Sequence, residues 1–391
     1  MEIKHVSATS TTAFKACPTR YRLGYVEGLR LAVDPAAPRM GTCWHGGLEI
    51  LSTGGGVEAA VEAACKIYET TPDWADPTDW AVEREIVANA LAAYHWLYGT
   101  GSEYETVATE LQFELPLVNP ETGHPTPNFV RVGKIDRIVR HKGTGRLMIQ
   151  EYKSTSKSID SGSTYWDRLR KDTQSKFYIT AARDLGTAYL DGQGQSLSGL
   201  LHDVFHKPTI KPSKLTQGET AEFIKTGDYC GQKFVATCSF DETNGDHRCS
   251  GCTVDGQEAQ VELGADPKPK KDGTCAPRPF AIRETPGMYG ARLLQDMTQR
   301  PEFYFARREI AFTDAELEDF RYQVWALQKT IAEMTNSGHW YENEQQCEAT
   351  FKCAYCPICY QNVDVFHGAT PPGFKRLNEA TALQTETGEQ N

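Results

Sequence analysis

The sequence predicts an α/β protein, helices packed on a sheet, and three observations carry that prediction. Apolar residues recur at helical spacing early in the chain: Val57, Val61, Cys65 and Tyr68, then Val82, Ile86, Ala90, Ala93 and Leu97. The period then changes to two. Val107, Thr109, Leu111, Phe113, Leu115 and Leu117 alternate with polar residues, as on a half-buried strand. Two further strand-like runs follow at short spacing, and then a helical stripe returns.

Taken in order, Ser10 to Arg22 reads as a capped helix start interrupted at Pro18. After the two helices and the first strand, a loop rich in Pro, Gly and Asn spans Asn119 to Asn128. A second strand is expected over Phe129 to His141. The turn Lys142-Gly-Thr-Gly145 leads to a third, Leu147 to Ser154, and connections this short favour an antiparallel meander. A helix with an apolar stripe follows over Thr164 to Leu185, then a strand over Gly199 to His206. From Lys225 to Arg278 the chain is rich in Gly, Asp, Lys and Cys and poor in periodicity, which reads as an insertion or a small metal-knit unit. Helical pattern returns at Pro286 to Met297 and Thr313 to Thr335. Lys375 to Asn391 has few large apolar groups and is expected to be a disordered tail. The boundaries are therefore 1–224 for the N-terminal helices and sheet, 225–278 for the Cys-rich insertion, 279–374 for a helical C-terminal region and 375–391 for the tail. No repeat of fixed period is present.

Composition narrows the function. With 391 residues, 39% of them hydrophobic, the chain has material for a core, so wholesale disorder is excluded. The net charge of −11 excludes a purely electrostatic nucleic-acid coat; any such site must be local or use metal ions to bridge phosphates. No run of 18 apolar residues predicts a membrane span. Met1 to Ser10 lacks a charged-then-apolar leader, so no secretory signal is expected and a cytoplasmic location follows.

The segment with most chemistry is Gly133-Lys-Ile-Asp136 followed by Glu151-Tyr-Lys153. Strand side chains alternate, so Glu151 and Lys153 share a face with Leu147 and Ile149. A hairpin of this length brings Asp136 beside Glu151. Two carboxylates suit Mg²⁺ or Mn²⁺, which prefer oxygen ligands, and such an ion promotes phosphodiester hydrolysis. A lysine beside them stabilises charge developing on the phosphate. Glu-x-Lys alone is equally a solvated strand face; the Gly-x-x-Asp on the paired strand favours the metal reading. His45 and Glu49 lie at i, i+4 on one helix face, and His45 is either a further metal ligand or a hydrogen-bonded core histidine. Gln174 and Tyr178 have the same spacing. Arg168, Arg170, Lys171 and Lys176 form a local basic stripe near them.

The 12 cysteines are clustered, which without a secretion signal points to metal before disulfides. Four lie between Cys347 and Cys359: Cys347, Cys353, Cys356 and Cys359. Zinc held by all four is one solution. Three of them with the distant Cys17 is another, and it would clasp the two ends of the chain. The second group is Cys230, Cys238, Cys249 and Cys252, with His247 and Cys275 nearby; it suits zinc or is a flexible loop. Cys43 and Cys65 read as small core residues.

Together these motifs resemble the PD-(D/E)XK nuclease superfamily in its RecB-like iron–sulfur branch, which includes phage-encoded members and CRISPR-associated adaptation exonucleases. The matching residues are Cys17-Pro18 within Ser7 to Tyr25, His45 in Gly-x-x-x-His, Gly133 to Ile138, Glu151-Tyr-Lys153, Gln174-x-x-x-Tyr178 and the closing cysteines, short motifs that stand in the family's order. The resemblance implies a mixed central sheet flanked by helices, a restriction-endonuclease-like core, with the C-terminal region closed by a metal cluster. It implies that His45, Asp136, Glu151 and the Tyr152 carbonyl hold Mg²⁺ or Mn²⁺, that Lys153 is the catalytic lysine, and that Gln174 and Tyr178 engage DNA. It implies a [4Fe–4S] cluster on Cys17, Cys347, Cys353 and Cys359, with Cys356 as the spare. The departures are the missing Pro before Asp136, the fourth C-terminal cysteine, and the Cys-rich segment, which has no counterpart. The expectation is a metal-dependent DNA nuclease, an exonuclease on single strands or ends, in recombination, repair or end processing in a bacterial or phage-infected cell. The competing readings are a non-catalytic DNA-binding or assembly module with structural metal sites, and a zinc-stabilised restriction-type endonuclease.

Overall fold

The computed structural model describes residues 4–33, 35–99, 102–186, 197–241, 248–266, 268, 277–349, 352–365 and 368–377. The chain opens with strand β1 (Lys4–Val6) and helix α1 (Ala8–Ala16), whose N-cap Ser7 forms a reciprocal capping box with Ser10. Pro18 ends that helix and starts the short α2 (Pro18–Tyr21), as the interruption predicts. A π-helical turn leads to β2 (Leu29–Leu31). Three helices follow: α3 (Ala36–Ser52), α4 (Val57–Cys65) and α5 (Pro77–Tyr98). The expected meander is β3 (Tyr104–Val118), β4 (Pro125–His141) and β5 (Leu147–Thr155). It pairs antiparallel throughout.

The helix predicted over Thr164 to Leu185 is two helices, α6 (Thr164–Arg170) and α7 (Thr173–Leu185). Asp172 makes the break, because its side chain caps α7 by accepting from the Ser175 amide. The crossover returns to β6 (Leu197–His206), which pairs parallel with β5 and places His202 beside Glu151. The central sheet is mixed and six-stranded: β1, β4, β5, β6 and the strand Phe305–Ile310 follow one another in that order, with β3 on the other edge of β4.

Strand β14 (Phe305–Ile310) corrects the expectation of a purely helical 279–374 region. After helix α8 (Gln217–Thr226), that region supplies α9 (Pro286–Gln299), the short α10 (Pro301–Tyr304), the sheet's edge strand and the long α11 (Asp314–Ser337). Six residues between two strong helical patterns were too short to register as a strand. The tail also begins later than expected. Phe374–Arg376 forms a strand that pairs with β2, and residues 378–391 lie outside the described residues.

Both sheet faces are covered. One core joins Ile135, Ile138, Leu147 and Ile149 to Phe177 and Ile179 of α7 and to Leu317, Phe320 and Val324 of α11. The other joins Tyr152, Phe205 and Phe305 to Trp44 of α3, Leu91 and Tyr94 of α5 and Leu293 of α9. The Cys-rich segment has a packed structure of its own. Its strands β9 (Ala236–Asp241), β10 (Arg248–Val254) and β11 (Gln257–Ala259) form a small antiparallel sheet. With Leu215, Phe223, Ile282 and Met288 they enclose a separate apolar cluster that contains Cys249 and Cys252. The unit therefore draws on residues on both sides of 225–278. No helix of the described residues is long and apolar enough to cross a membrane.

One polar network crosses the second core. Asp203 is 2% exposed, and its Oδ2 accepts from Tyr94 Oη (2.6 Å), Gln150 Nε2 (2.7 Å) and Arg307 Nε (2.8 Å). Three donors and a full counter-charge satisfy a carboxylate that burial alone would penalise. Removing it strands the Arg307 guanidinium. Asp203→Ala is expected to cost roughly 3–5 kcal/mol in denaturant unfolding, and a loss near zero would show that Arg307 finds another partner.

Candidate active site

The site forms where β4 and β5 meet the N-terminal end of α7 and the middle of α3. Gly133 opens it. A Cβ there would stand 2.7 Å from Phe113 Cζ and 3.2 Å from Tyr178 Cε1, so only glycine lets β4 pass under these rings. Gly47 has the same task on α3, where a Cβ would meet Leu91 Cδ1 at 2.4 Å. That close approach of α3 to α5 places His45 over the sheet.

Asp136, Glu151 and Lys153 come together as the motif spacing predicts. Asp136 Oδ2 accepts from the Tyr152 amide at 3.0 Å and lies 3.5 Å from His45 Nδ1. Lys153 Nζ donates to Glu151 Oε1 at 3.1 Å and to Gln174 Oε1. Glu151 has no exposed surface, and its Oε2 is buried without a hydrogen-bond donor.

The electrostatics separate the two carboxyls. Burial pushes both up. For Asp136 the neighbouring His45, the Tyr152 amide and Lys153 outweigh burial, and its carboxyl is held below the usual range. For Glu151 burial and the Asp136 charge win over Lys153, and it rises to about 8. Burial opposes the charge on Lys153, yet Glu151 and Asp172 hold its ammonium above the usual value. Burial likewise opposes the His45 charge, and Asp136 overrides it to raise the imidazole.

A divalent cation fits this donor set. Two hard oxygen donors stand beside an imidazole, and the orphaned Glu151 oxygen is an acceptor that a cation would satisfy. Among the described residues, no three His, Cys, Asp or Glu side chains already stand in a metal-holding arrangement. The carboxylates would have to close on an ion.

Gln174 and Tyr178 face this cluster rather than solvent. Gln174 Nε2 donates to Tyr178 Oη at 3.3 Å while its oxygen receives Lys153. The Tyr178 ring is buried against Phe113, which withdraws it from stacking on a base. The pair orients the lysine. Of the basic stripe, Arg168, Arg170 and Lys171 are exposed, whereas Lys176 is buried with its ammonium 6.0 Å from the Phe312 ring centre. Sequence reasoning missed the support behind Lys153. Asp172 accepts from Ser175 Oγ (2.9 Å), which also contacts His202 Nε2 (3.2 Å). Burial and Lys153 push His202 down to about 3, so it is a neutral wall. Nothing in its apolar strand context signals that role.

The chain ends meet. Asn343 Nδ2 donates to Ala16 O (2.9 Å), the Asn343 amide approaches Cys17 Sγ (3.4 Å), and Tyr355 Oη donates to Leu29 O (2.8 Å). Cys353 and Cys359 pack beside Leu23, Leu29 and Ile358. After burial, the charges of neighbouring thiols, Cys17 among them, help to raise Cys353 and Cys359. Cys356 belongs to the same group, its Sγ 3.8 Å from the Cys347 carbonyl. The second cysteine set is gathered only in part. Cys238 and Cys252 face each other across β9 and β10 with sulfurs 2.6 Å apart, and Cys249 adjoins them. Cys230 does not join them. It sits in the tight turn between Asp228–Tyr229 and Gln232–Lys233, near Tyr229, Glu284 and Arg292. His247 and Cys275 lie outside the described residues.

The family model of the PD-(D/E)XK nuclease superfamily matches residues 5–257. That span contains His45, Asp136, Glu151, Lys153, Gln174 and Tyr178 and ends before the C-terminal cysteines. No curated protein matches the chain.

The raised Glu151 makes stability depend on pH with a defined sign. Its carboxyl ionises at its ordinary 4.5 in the unfolded chain and at about 8 in the fold. Between these values the folded chain binds the extra proton, so stability without metal falls as pH rises from 4.5 to about 8. Glu151→Gln removes that slope. In EDTA its Tm is expected to exceed that of wild type by at least about 3 °C at pH 8, with the gap closing toward pH 4.5. A gap that is the same at both pH values would contradict the assignment.

Proposed function

This chain belongs to the PD-(D/E)XK nuclease superfamily, and from that premise we propose that it is a Mg²⁺- or Mn²⁺-dependent deoxyribonuclease acting on single-stranded DNA or on DNA ends. The observation that carries the reading is the pair of buried carboxyls, Asp136 and Glu151, with Glu151 Oε2 left without a partner and a charged lysine fixed on Glu151 Oε1. In this reading His45, Asp136, Glu151 and the Tyr152 carbonyl hold the ion, which supplies Lewis-acid polarisation of the phosphodiester.

The protein's own groups do the positioning. Lys153, pinned by Glu151 and Gln174, offers a fixed positive charge to the non-bridging phosphate oxygens as negative charge builds there. Its third ammonium hydrogen remains to orient water or phosphate. The exposed Arg168, Arg170 and Lys171 give an acidic protein a local surface for the phosphate backbone.

For the joined chain ends we propose a [4Fe–4S] cluster on Cys17, Cys347, Cys353 and Cys359 that locks the two termini together; the thiols of Cys17, Cys347 and Cys353 lie near enough to Cys359 to help raise it, and they would have to close further to bind the cluster. Cys238, Cys249 and Cys252 lie side by side, but among the described residues they do not stand in a metal-holding arrangement, so zinc there would need the three thiols to close and a further ligand to join them.

The central test is cleavage of end-labelled single- and double-stranded DNA, linear and circular, with Mn²⁺ or with EDTA. Wild type is expected to degrade linear DNA only with metal, and Lys153→Ala to lose about 10²-fold or more of that rate. Cutting of circular DNA would replace the end-dependent reading with an endonuclease. Equal rates in both proteins would sink the site. No cleavage by a wild type that binds Mn²⁺ and DNA would favour a non-catalytic DNA-binding module. Anaerobically purified protein is expected to absorb near ~400 nm, and Cys17→Ser to lose the band; a colourless protein carrying stoichiometric zinc would overturn the cluster.

A further inference from the structure

The central sheet has one irregularity that the nuclease reading leaves unexplained. Across β3 and β4, Ala108 pairs with Ile138 and Leu111 with Ile135. Ile135 and Ile138 are both buried in the same core, with Ala108 and Leu111 packed against it. Pairs three residues apart on regular strands face opposite sides of a sheet. The strands therefore exchange faces between these pairs, and the alternation that places Thr109 with Leu111 and Phe113 breaks there.

The residue at the break is Glu110, with φ of 51° in the middle of a 15-residue strand. The other described non-glycine residues with positive φ (Cys230, Asp255 and Asn362) all lie in turns. Extending the register puts Glu110 opposite Asp136, the two positions between Thr109↔Arg137 and Leu111↔Ile135. The half-buried Lys134 forms an ion pair with the Glu110 carboxylate.

The face exchange has a consequence on the other edge of β4. The backbone ladder between β4 and β5 runs from Arg140↔Leu147 to Arg137↔Gln150 and stops. One position further on, the carboxylate of Asp136 takes the Tyr152 amide. A side chain replaces a strand carbonyl there, and this fixes where Asp136 points. Neither strand gains a residue here, so this is a face exchange in register and not a bulge; the neighbouring register shift of β3 lies between Thr106 and Ala108.

We propose that Glu110 is a positioning residue: its left-handed backbone reverses the faces of β3 and β4 and so turns the Asp136 carboxylate toward β5 and Glu151. Glycine accepts that backbone freely, alanine less readily, and a β-branched residue resists it. The inference deepens the nuclease reading, since Asp136 is one of its carboxylates. Its test needs neither metal nor DNA.

The readout is amide hydrogen exchange of Tyr152 in the full-length protein in EDTA, with the Ile149 and Val204 amides as internal controls of the fold. Glu110→Gly is expected to protect Tyr152 within about threefold of wild type, and Glu110→Val to speed its exchange by about tenfold or more while the controls hold. If the valine variant does not fold, Glu110→Ala against Glu110→Gly carries the comparison, with alanine the less protected. Mn²⁺ affinity should fall in the same order. Wild-type protection in every folded variant would overturn the proposal. So would a glycine variant as unprotected as valine or alanine, because the side chain would then be what matters. A wild type that protects Tyr152 but binds no Mn²⁺ would sink the nuclease reading and leave this one standing.

Discussion

Two carboxyl groups share the interior of the sheet, and much of the surrounding architecture answers the electrostatic problem they create. Like charges this close in a low-dielectric setting cannot both ionise freely. The structure resolves the conflict asymmetrically. Asp136 receives the Tyr152 amide and the nearby His45, while Glu151 receives one hydrogen bond from Lys153 and keeps a bare oxygen. One carboxyl is thereby kept as an anion, and the other is poised to release its proton to solvent when a cation binds. Glu151 and Asp172, with Asp136 adding less, hold the charge on Lys153, which burial alone would tend to neutralise.

The chain spends its neighbouring residues on holding that arrangement still. Gly133 lets the Phe113 and Tyr178 rings approach β4 closely. Tyr178 bonds Gln174, Gln174 takes the lysine, and Asp172 fixes the helix that carries them. A helix N-terminus aimed at the site adds a modest favourable field for an anion such as a phosphate. Each link is ordinary by itself. In series they leave the ammonium of Lys153 little freedom, which is what a preorganised site requires.

The parts of this that were legible in the sequence are those with a local signature. Helical and strand periodicity located α4, α5 and β3 to β5, and Gly-x-x-Asp with Glu-x-Lys located the carboxyls and the lysine. What stayed hidden depends on contacts far apart in the chain. The inward turn of Tyr178 is decided by Phe113 and Gly133, two strands away, so its spacing from Gln174 suggested a ligand-facing pair. Cys230 looked like a partner of Cys238, Cys249 and Cys252 because they are close in sequence, yet a tight turn directs it toward Glu284. Glu110 read as one more polar residue in an alternating strand. A left-handed backbone leaves no mark in composition when the residue is not glycine or asparagine.

The match to the superfamily ends at residue 257, but the fold does not. Strand β14 covers the edge of β6, and Arg307 on it neutralises Asp203 in the buried network with Tyr94 and Gln150. Helix α11 lays Leu317, Phe320 and Val324 over the core beneath α7, the helix that orients Lys153. Without these elements β6 would present an unpaired edge, Asp203 a buried charge without its counter-ion, and α7 an uncovered apolar side. The segment after 257 is therefore part of the site's scaffold. The contacts of Asn343 with Ala16 and Cys17 carry that dependence back to the first helix, so the geometry at Asp136 and Glu151 rests on both ends of the chain.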